Sequence, residues 1–149
     1  MKSEDYTILI VEDNPDDVLL IERAFHQCGI INPLRFVQNG EEAIAYLKGE
    51  GRFGDRAENP LPVLILLDLK MPRMDGFEFL TWLRNEPELK KLVVVVLTSS
   101  RENPDINRAY ELGANSYLVK PVQFEELMRI VRELHLYWLI LNEHPRVRE

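Results

Sequence analysis

Several things are scarce in this chain, and each scarcity closes off a class of function. There is one cysteine in 149 residues, Cys28, so neither an internal disulfide nor a cysteine metal cluster can form. No apolar run approaches the ~18 residues of a membrane-spanning helix, so no membrane association is expected. The opening Met1-Lys2-Ser3-Glu4-Asp5 lacks the charged-then-apolar order of a secretory signal, which predicts a cytoplasmic protein. Positive charge is in short supply: 18 Lys and Arg against 25 Asp and Glu leave a net charge of −7, which argues against a nucleic-acid footprint. The three histidines, His26, His135 and His144, are scattered without ligand spacing. What remains is the composition of an ordinary globular protein, 46% hydrophobic and 29% charged, at a length that suits one domain with a core of its own.

Within that composition, two apolar runs end abruptly in acid. Thr7-Ile8-Leu9-Ile10-Val11 leads into Glu12-Asp13, and Val63-Leu64-Ile65-Leu66-Leu67 leads into Asp68. Five-residue runs of Val, Ile and Leu read as strands buried on both faces, the kind found in parallel sheets. Ligands of such sheets bind beyond the carboxyl ends of the strands, where these acids stand. Three convergent carboxylates repel one another unless a cation or a shared proton joins them.

Three further strands are predicted at Leu34–Val37, Leu92–Leu97 and Ser116–Val119, each alternating with a helical pattern. Asn14-Pro15 opens the first helix, with Val18, Ile21, Phe25 and Cys28 at helical spacing and Gly29 as its stop. Ala43, Ile44 and Leu47 mark a second, and Phe79, Leu80 and Leu83 a third that Glu86-Pro87 breaks. Ile106, Ala109 and Tyr110 mark a fourth ending at Gly113, and a fifth runs from about Gln123 into Trp138 or beyond. Five strands and five helices in strict alternation imply parallel strands with right-handed crossovers, a doubly wound α/β sheet without a second domain.

The strand ends then supply a short list: Glu12, Asp13, Asp68, Thr98, Ser99 and Lys120. Carboxylates, hydroxyls and an ammonium on one rim suit a divalent cation and a phosphoryl group. Mg²⁺ takes oxygen ligands, commonly one or two carboxylates completed by water and phosphate oxygens. Lys and Thr can hold phosphoryl oxygens, and an ionised Asp can itself be the nucleophile.

Four motifs in order, Val11-Glu12-Asp13-Asn14, Leu66-Leu67-Asp68-Leu69-Lys70-Met71-Pro72 with Asp75-Gly76, Leu97-Thr98-Ser99 and Tyr117-Leu118-Val119-Lys120-Pro121, resemble the CheY-like receiver domain of two-component response regulators. The likeness runs from about Tyr6 to His135. It implies a flavodoxin-like (βα)5 fold with strand order 2-1-3-4-5, an order that belongs to the family. It implies Asp68 as phosphoacceptor, and Mg²⁺ held by Glu12, Asp13, Asp68 and the backbone carbonyl of Lys70. Thr98, Ser99 and Lys120 would bind phosphate, the Lys120–Pro121 bond would be cis, and Thr98 with Tyr117 would form the switch. The phosphoryl donor would be a phosphohistidine of a sensor histidine kinase.

Two features depart from a generic receiver. The stretch Gly49 to Pro62 lengthens the loop before the third strand. The last helix carries two apolar stripes: Phe124, Leu127, Met128, Val131, His135 and Trp138 suit packing on the sheet, whereas Ile130, Leu134, Tyr137 and Leu141 are left for a partner. Homodimerisation through the fourth helix, fifth strand and fifth helix is expected. Together these features resemble the stand-alone receivers that serve bacterial phytochrome kinases. Residues 136–149 are expected to be a helix extension and polar tail, far too short for a DNA-binding output domain. Two rivals are a phosphohydrolase with an aspartyl nucleophile, whose second Asp is replaced here by Lys70, and a binding module never phosphorylated. Lys70 itself is expected to pair with the phosphoryl group and slow its loss.

Overall fold

Apolar runs and helical stripes alternate along the chain, and a computed structural model describing residues 2–148 turns them into a single parallel sheet. Its strands are β1 (Ile8–Val11), β2 (Leu34–Val37), β3 (Leu64–Leu67), β4 (Val93–Thr98) and β5 (Ser116–Val119), in the order β2-β1-β3-β4-β5. The helices are α1 (Pro15–Gln27), α2 (Gly40–Lys48), α3 (Gly76–Arg84), α4 (Asn103–Glu111) and α5 (Phe124–Leu134). β1, β3 and β4 are buried throughout and lie at the centre, while β2 and β5 are half-buried and form the edges. That is the expected doubly wound, flavodoxin-like sheet.

Alternate strand residues face opposite sides. Leu9, Val11, Ile65, Leu67, Val94 and Val96 meet Ala43, Leu80 and Ala109 of α2, α3 and α4 on one face. Ile8, Ile10, Leu64, Leu66, Val95 and Leu97 meet Ile21, Phe25, Leu127 and Val131 of α1 and α5 on the other. Among the described residues no helix is long and apolar enough to cross a membrane.

The last helix differs from expectation. Its α-helical part stops at Leu134, and His135–Leu141 continue in π-helical turns that end with the Asn142 N–H donating to the Tyr137 carbonyl. A π turn closes on the fifth residue, so the buried position after Leu134 is Leu139. Leu134 itself is buried on the same α-helical face as Leu127 and Val131, so it is a core residue, correcting its assignment to a partner surface. Of the other three residues in that stripe, Ile130 is half-buried and Tyr137 and Leu141 are exposed.

The long loop and the tail are both packed. In the long loop Phe53 is buried against the Tyr46 ring, and the Tyr46 hydroxyl donates to the Pro60 carbonyl (2.8 Å). Arg56 caps α2 through the carbonyls of Tyr46 and Leu47. The tail folds back under the sheet: His144 Nε2 donates to the Trp138 carbonyl (2.7 Å), its ring meets Tyr6 edge-on, and Val147 packs against the core.

Candidate functional site

Register brings the acids together. Val11 pairs with Leu67, so Glu12 and Asp68 leave neighbouring strands side by side. Thr98 pairs with Val119, so Lys120 emerges beside the end of β4, its N–H donating to the Thr98 carbonyl (2.7 Å). Asp13 follows Glu12 out to the surface. One oxygen from each of Glu12, Asp13 and Asp68 lies within 4.8 Å of the others.

The loop after β3 is pinned from below. The Gly76 N–H donates to the Leu69 carbonyl (2.9 Å), and a Cβ on Gly76 would run into the Asp68 carbonyl and lie 2.8 Å from Leu69 Cα. Only glycine lets α3 begin this close to the acid. Asp75 caps α3 in a reciprocal box with Glu78.

Three of the carboxylates share one cation. Lys120 Nζ lies 2.6 Å from Glu12, 2.8 Å from Asp17 and 3.2 Å from Asp68. Asp68 is buried, and its second oxygen accepts the Leu69 N–H (2.8 Å). Burial pushes the Glu12 carboxyl up to about 7; the ammonium of Lys120 opposes this, and the Asp68 charge adds to it. Burial would lower Lys120, but hydrogen bonds to Asp17 and Glu12 and the Asp68 charge outweigh it and hold the ammonium above its ordinary range.

These residues line an open cavity of about 620 Å³ that also takes in Asn14, Lys70, Thr98, Ser99, Ser100, Arg101 and Glu102. Glu12, Asp13, Asp68, Thr98, Ser99 and Lys120 therefore meet at one place, with the Thr98 residue buried and Ser99 exposed on the rim. Tyr117 stands beside it, its hydroxyl donating to the Ser100 carbonyl (3.0 Å). Burial raises the Tyr117 phenol.

One expectation fails here. The Lys120–Pro121 bond is trans, since no cis peptide occurs among the described residues. Trans is the lower-energy form of an X–Pro bond, and Lys120 reaches all three carboxylates with it. Lys70 is exposed, and its ammonium pairs with Asp105 of α4 at 3.7 Å. Asp17 was missed from sequence. Its signal was the spacing from Asp13, one helical turn on, after the Asn14 cap whose Oδ1 accepts the N–H of Asp16 and Asp17.

The cluster could bind a metal. Two ligands of one Mg²⁺ can be no farther apart than about 4.2 Å, twice the ~2.1 Å Mg–O distance, and the three carboxylates need only small rotations to meet that. Hard oxygen donors with no nitrogen or sulfur suit Mg²⁺ or a similar ion.

The chain matches the model of the response regulator receiver domain over residues 8–132. It is 40% identical over 146 residues to the probable methanogenesis regulatory protein FilR2 of Methanothrix harundinacea, covering 97% of this chain and 92% of that one. Its structure resembles that of response regulator RPA3017, from red light signaling of R. palustris, with a TM-score of 0.90 and 37% identity over 95% of this chain and 99% of that one. It also resembles the phosphorylated cyanobacterial phytochrome response regulator RcpA, with a TM-score of 0.87, 36% identity and the same coverage.

Proposed function

This chain belongs to the response regulator receiver family, and on that premise we propose that Asp68 accepts a phosphoryl group from the phosphohistidine of a sensor histidine kinase. The observation that carries the reading is the posture of Asp68. One oxygen is fixed by the Leu69 N–H while the other faces Lys120 and the open cavity, so a nucleophile is held in place with a cation beside it. The Asp68 oxygen forms a bond to phosphorus as the phosphorus–nitrogen bond to the donor imidazole breaks. Such transfer relies on positioning and charge neutralisation more than on proton transfer.

Glu12, Asp13, Asp68 and the Lys70 carbonyl are the residues proposed to hold Mg²⁺, which when bound neutralises charge on the transferred group. Lys120 and Ser99 are proposed to hold its oxygens, together with the Thr98 hydroxyl. Tyr117 responds through its hydrogen bond to the Ser100 carbonyl in the loop after β4. The added charge and acceptor oxygens bias a two-state surface rather than create a new one.

Two partners follow. The kinase is proposed to be of the phytochrome type, a reading supported by the likeness to RPA3017 and RcpA. A second copy of this chain is proposed to cover Tyr137, Leu141 and the half-buried Ile130 beside the β5 edge; exposed Leu136 and Ile140 extend that surface. The chain is proposed to act as a stand-alone receiver, a reading supported by relatives of nearly its own length.

Incubation with acetyl phosphate and Mg²⁺, followed by intact mass measurement, tests the assignment. An adduct of ~80 Da is expected on the wild type and none on Asp68→Asn. An unlabelled wild type, under conditions that label a control receiver, would overturn it.

A further inference from the structure

The expected role of Lys70 was contact with the phosphoryl group, yet its ammonium is held by Asp105. That carboxylate sits in the first turn of α4 and makes a second contact: the same oxygen, Oδ2, accepts the Ser100 hydroxyl at 2.6 Å. Ser100 Oγ in turn accepts the Glu102 N–H, and the Ser100 carbonyl accepts the Tyr117 hydroxyl. Asp105 thus joins the loop after Asp68 to the loop after β4, whose Ser100 carbonyl holds the Tyr117 hydroxyl.

We infer that Asp105 is a positioning residue, a latch that holds Lys70 away from the phosphoryl site until phosphorylation draws it off. The inference rests on the proposed phosphorylation of Asp68. An ion pair at 3.7 Å from an exposed lysine to a half-buried carboxylate is weak, so it yields readily to a stronger competitor. A phosphoryl group brings a charge of about −1.5 to −2 into the cavity that Lys70 lines, against the single charge of Asp105. Once Lys70 leaves, Asp105 keeps only Ser100, and the loop under Tyr117 loses its tether to the acceptor loop. Lys70 on the phosphoryl oxygens also obstructs hydrolysis, in which water bonds to phosphorus, the bond to the Asp68 oxygen breaks, and inorganic phosphate leaves.

A double-mutant cycle tests the latch. Asp105→Asn retains an oxygen for Ser100 but loses the charge that holds Lys70. The acyl-phosphate lifetime in Asp105→Asn should lengthen severalfold with Lys70 present and stay unchanged in the Lys70→Gln background. Equal effects in both backgrounds, or no effect in either, would overturn the latch. A second arm needs no phosphorylation: Lys70→Gln alone should shift the Tyr117 ring NMR signals of the unmodified protein, and an unshifted spectrum would also overturn it. Absence of any acyl phosphate on the wild type would instead overturn the Asp68 assignment, a result the mass experiment reports separately.

Discussion

Two half-buried cations sit at opposite ends of the sheet, and their environments are opposite in kind. At the carboxyl end Lys120 is surrounded by the carboxylates of Glu12, Asp17 and Asp68. At the amino end of β4 the Arg84 guanidinium donates to the carbonyls of Gly113, Lys90 and Leu92 and to Asn115 Oδ1, four neutral oxygens. Lys120 is held above its ordinary pKa, whereas burial lowers that of Arg84. Neutral acceptors satisfy a buried cation without importing charges that must themselves be compensated. Carboxylates do not, so the carboxyl end carries an excess of negative charge that a second cation could relieve. The amino end is built to hold the fold; the carboxyl end is built to respond.

Removing each cation should break this comparison most visibly. Arg84→Met leaves four acceptors without this donor, those of Gly113 and Leu92 sheltered and those of Lys90 and Asn115 exposed to water, an expected loss of about 2–3 kcal/mol at ~1 kcal/mol per sheltered hydrogen bond and less for the exposed ones. Lys120→Met leaves three converging carboxylates and should cost about 3–5 kcal/mol at neutral pH without metal. The sizes are of the same order, but the dependence on conditions differs. Urea unfolding with and without Mg²⁺ should recover much of the Lys120→Met loss and none of the Arg84→Met loss. Equal recovery in both would mean that the two ends do not differ in kind.

How much of this could be read from the chain follows the same division. Glu12, Asp68, Thr98 and Lys120 were legible because each ends a strand, and register then carries them to one rim. Asp17 and Asp105 were not, because a helical acid declares its partner only once the helix is docked. Arg84, in the last turn of α3, has no such signal in the chain; its four acceptors are gathered around it only by tertiary packing. Leu134 was misplaced because it was grouped with Ile130 four residues earlier, although it equally continues the buried face of Leu127 and Val131 at seven and three residues. The trans Lys120–Pro121 bond differs from the family expectation and has no signal in the residues themselves.

The tail offers a smaller way to sharpen the contrast. Val147 packs beneath the sheet near Leu61 and Leu92, in a groove shared with Tyr6 and His144. Val147→Asp should destabilise by about 1–2 kcal/mol through loss of that half-buried contact and desolvation of a new charge. Phosphorylation by acetyl phosphate should be unaffected, since the carboxyl-end cavity shares no residue with this groove. A lost adduct with the fold intact would show that the two ends are coupled.

The smallest effect concerns Glu12, and its sign is the informative part. Burial raises this carboxyl from 4.5 to about 7, so the folded state prefers the neutral form more than the unfolded chain does. The stability this contributes is fully present below pH 4.5 and is lost as pH rises through about 7, the reverse of an acid held by a favourable ion pair. Glu12→Gln is neutral at every pH and escapes that loss, though it gives up a charged acceptor for Lys120. The stability of Glu12→Gln relative to wild type, measured without metal, should therefore rise between pH 4.5 and 7 and level off above, by about 1 kcal/mol or less after the two effects offset. A difference that falls across that interval would mean that Lys120 fully compensates the ionised Glu12. The carboxyl end would then carry no electrostatic strain for a bound cation to relieve, and its contrast with the Arg84 end would be lost.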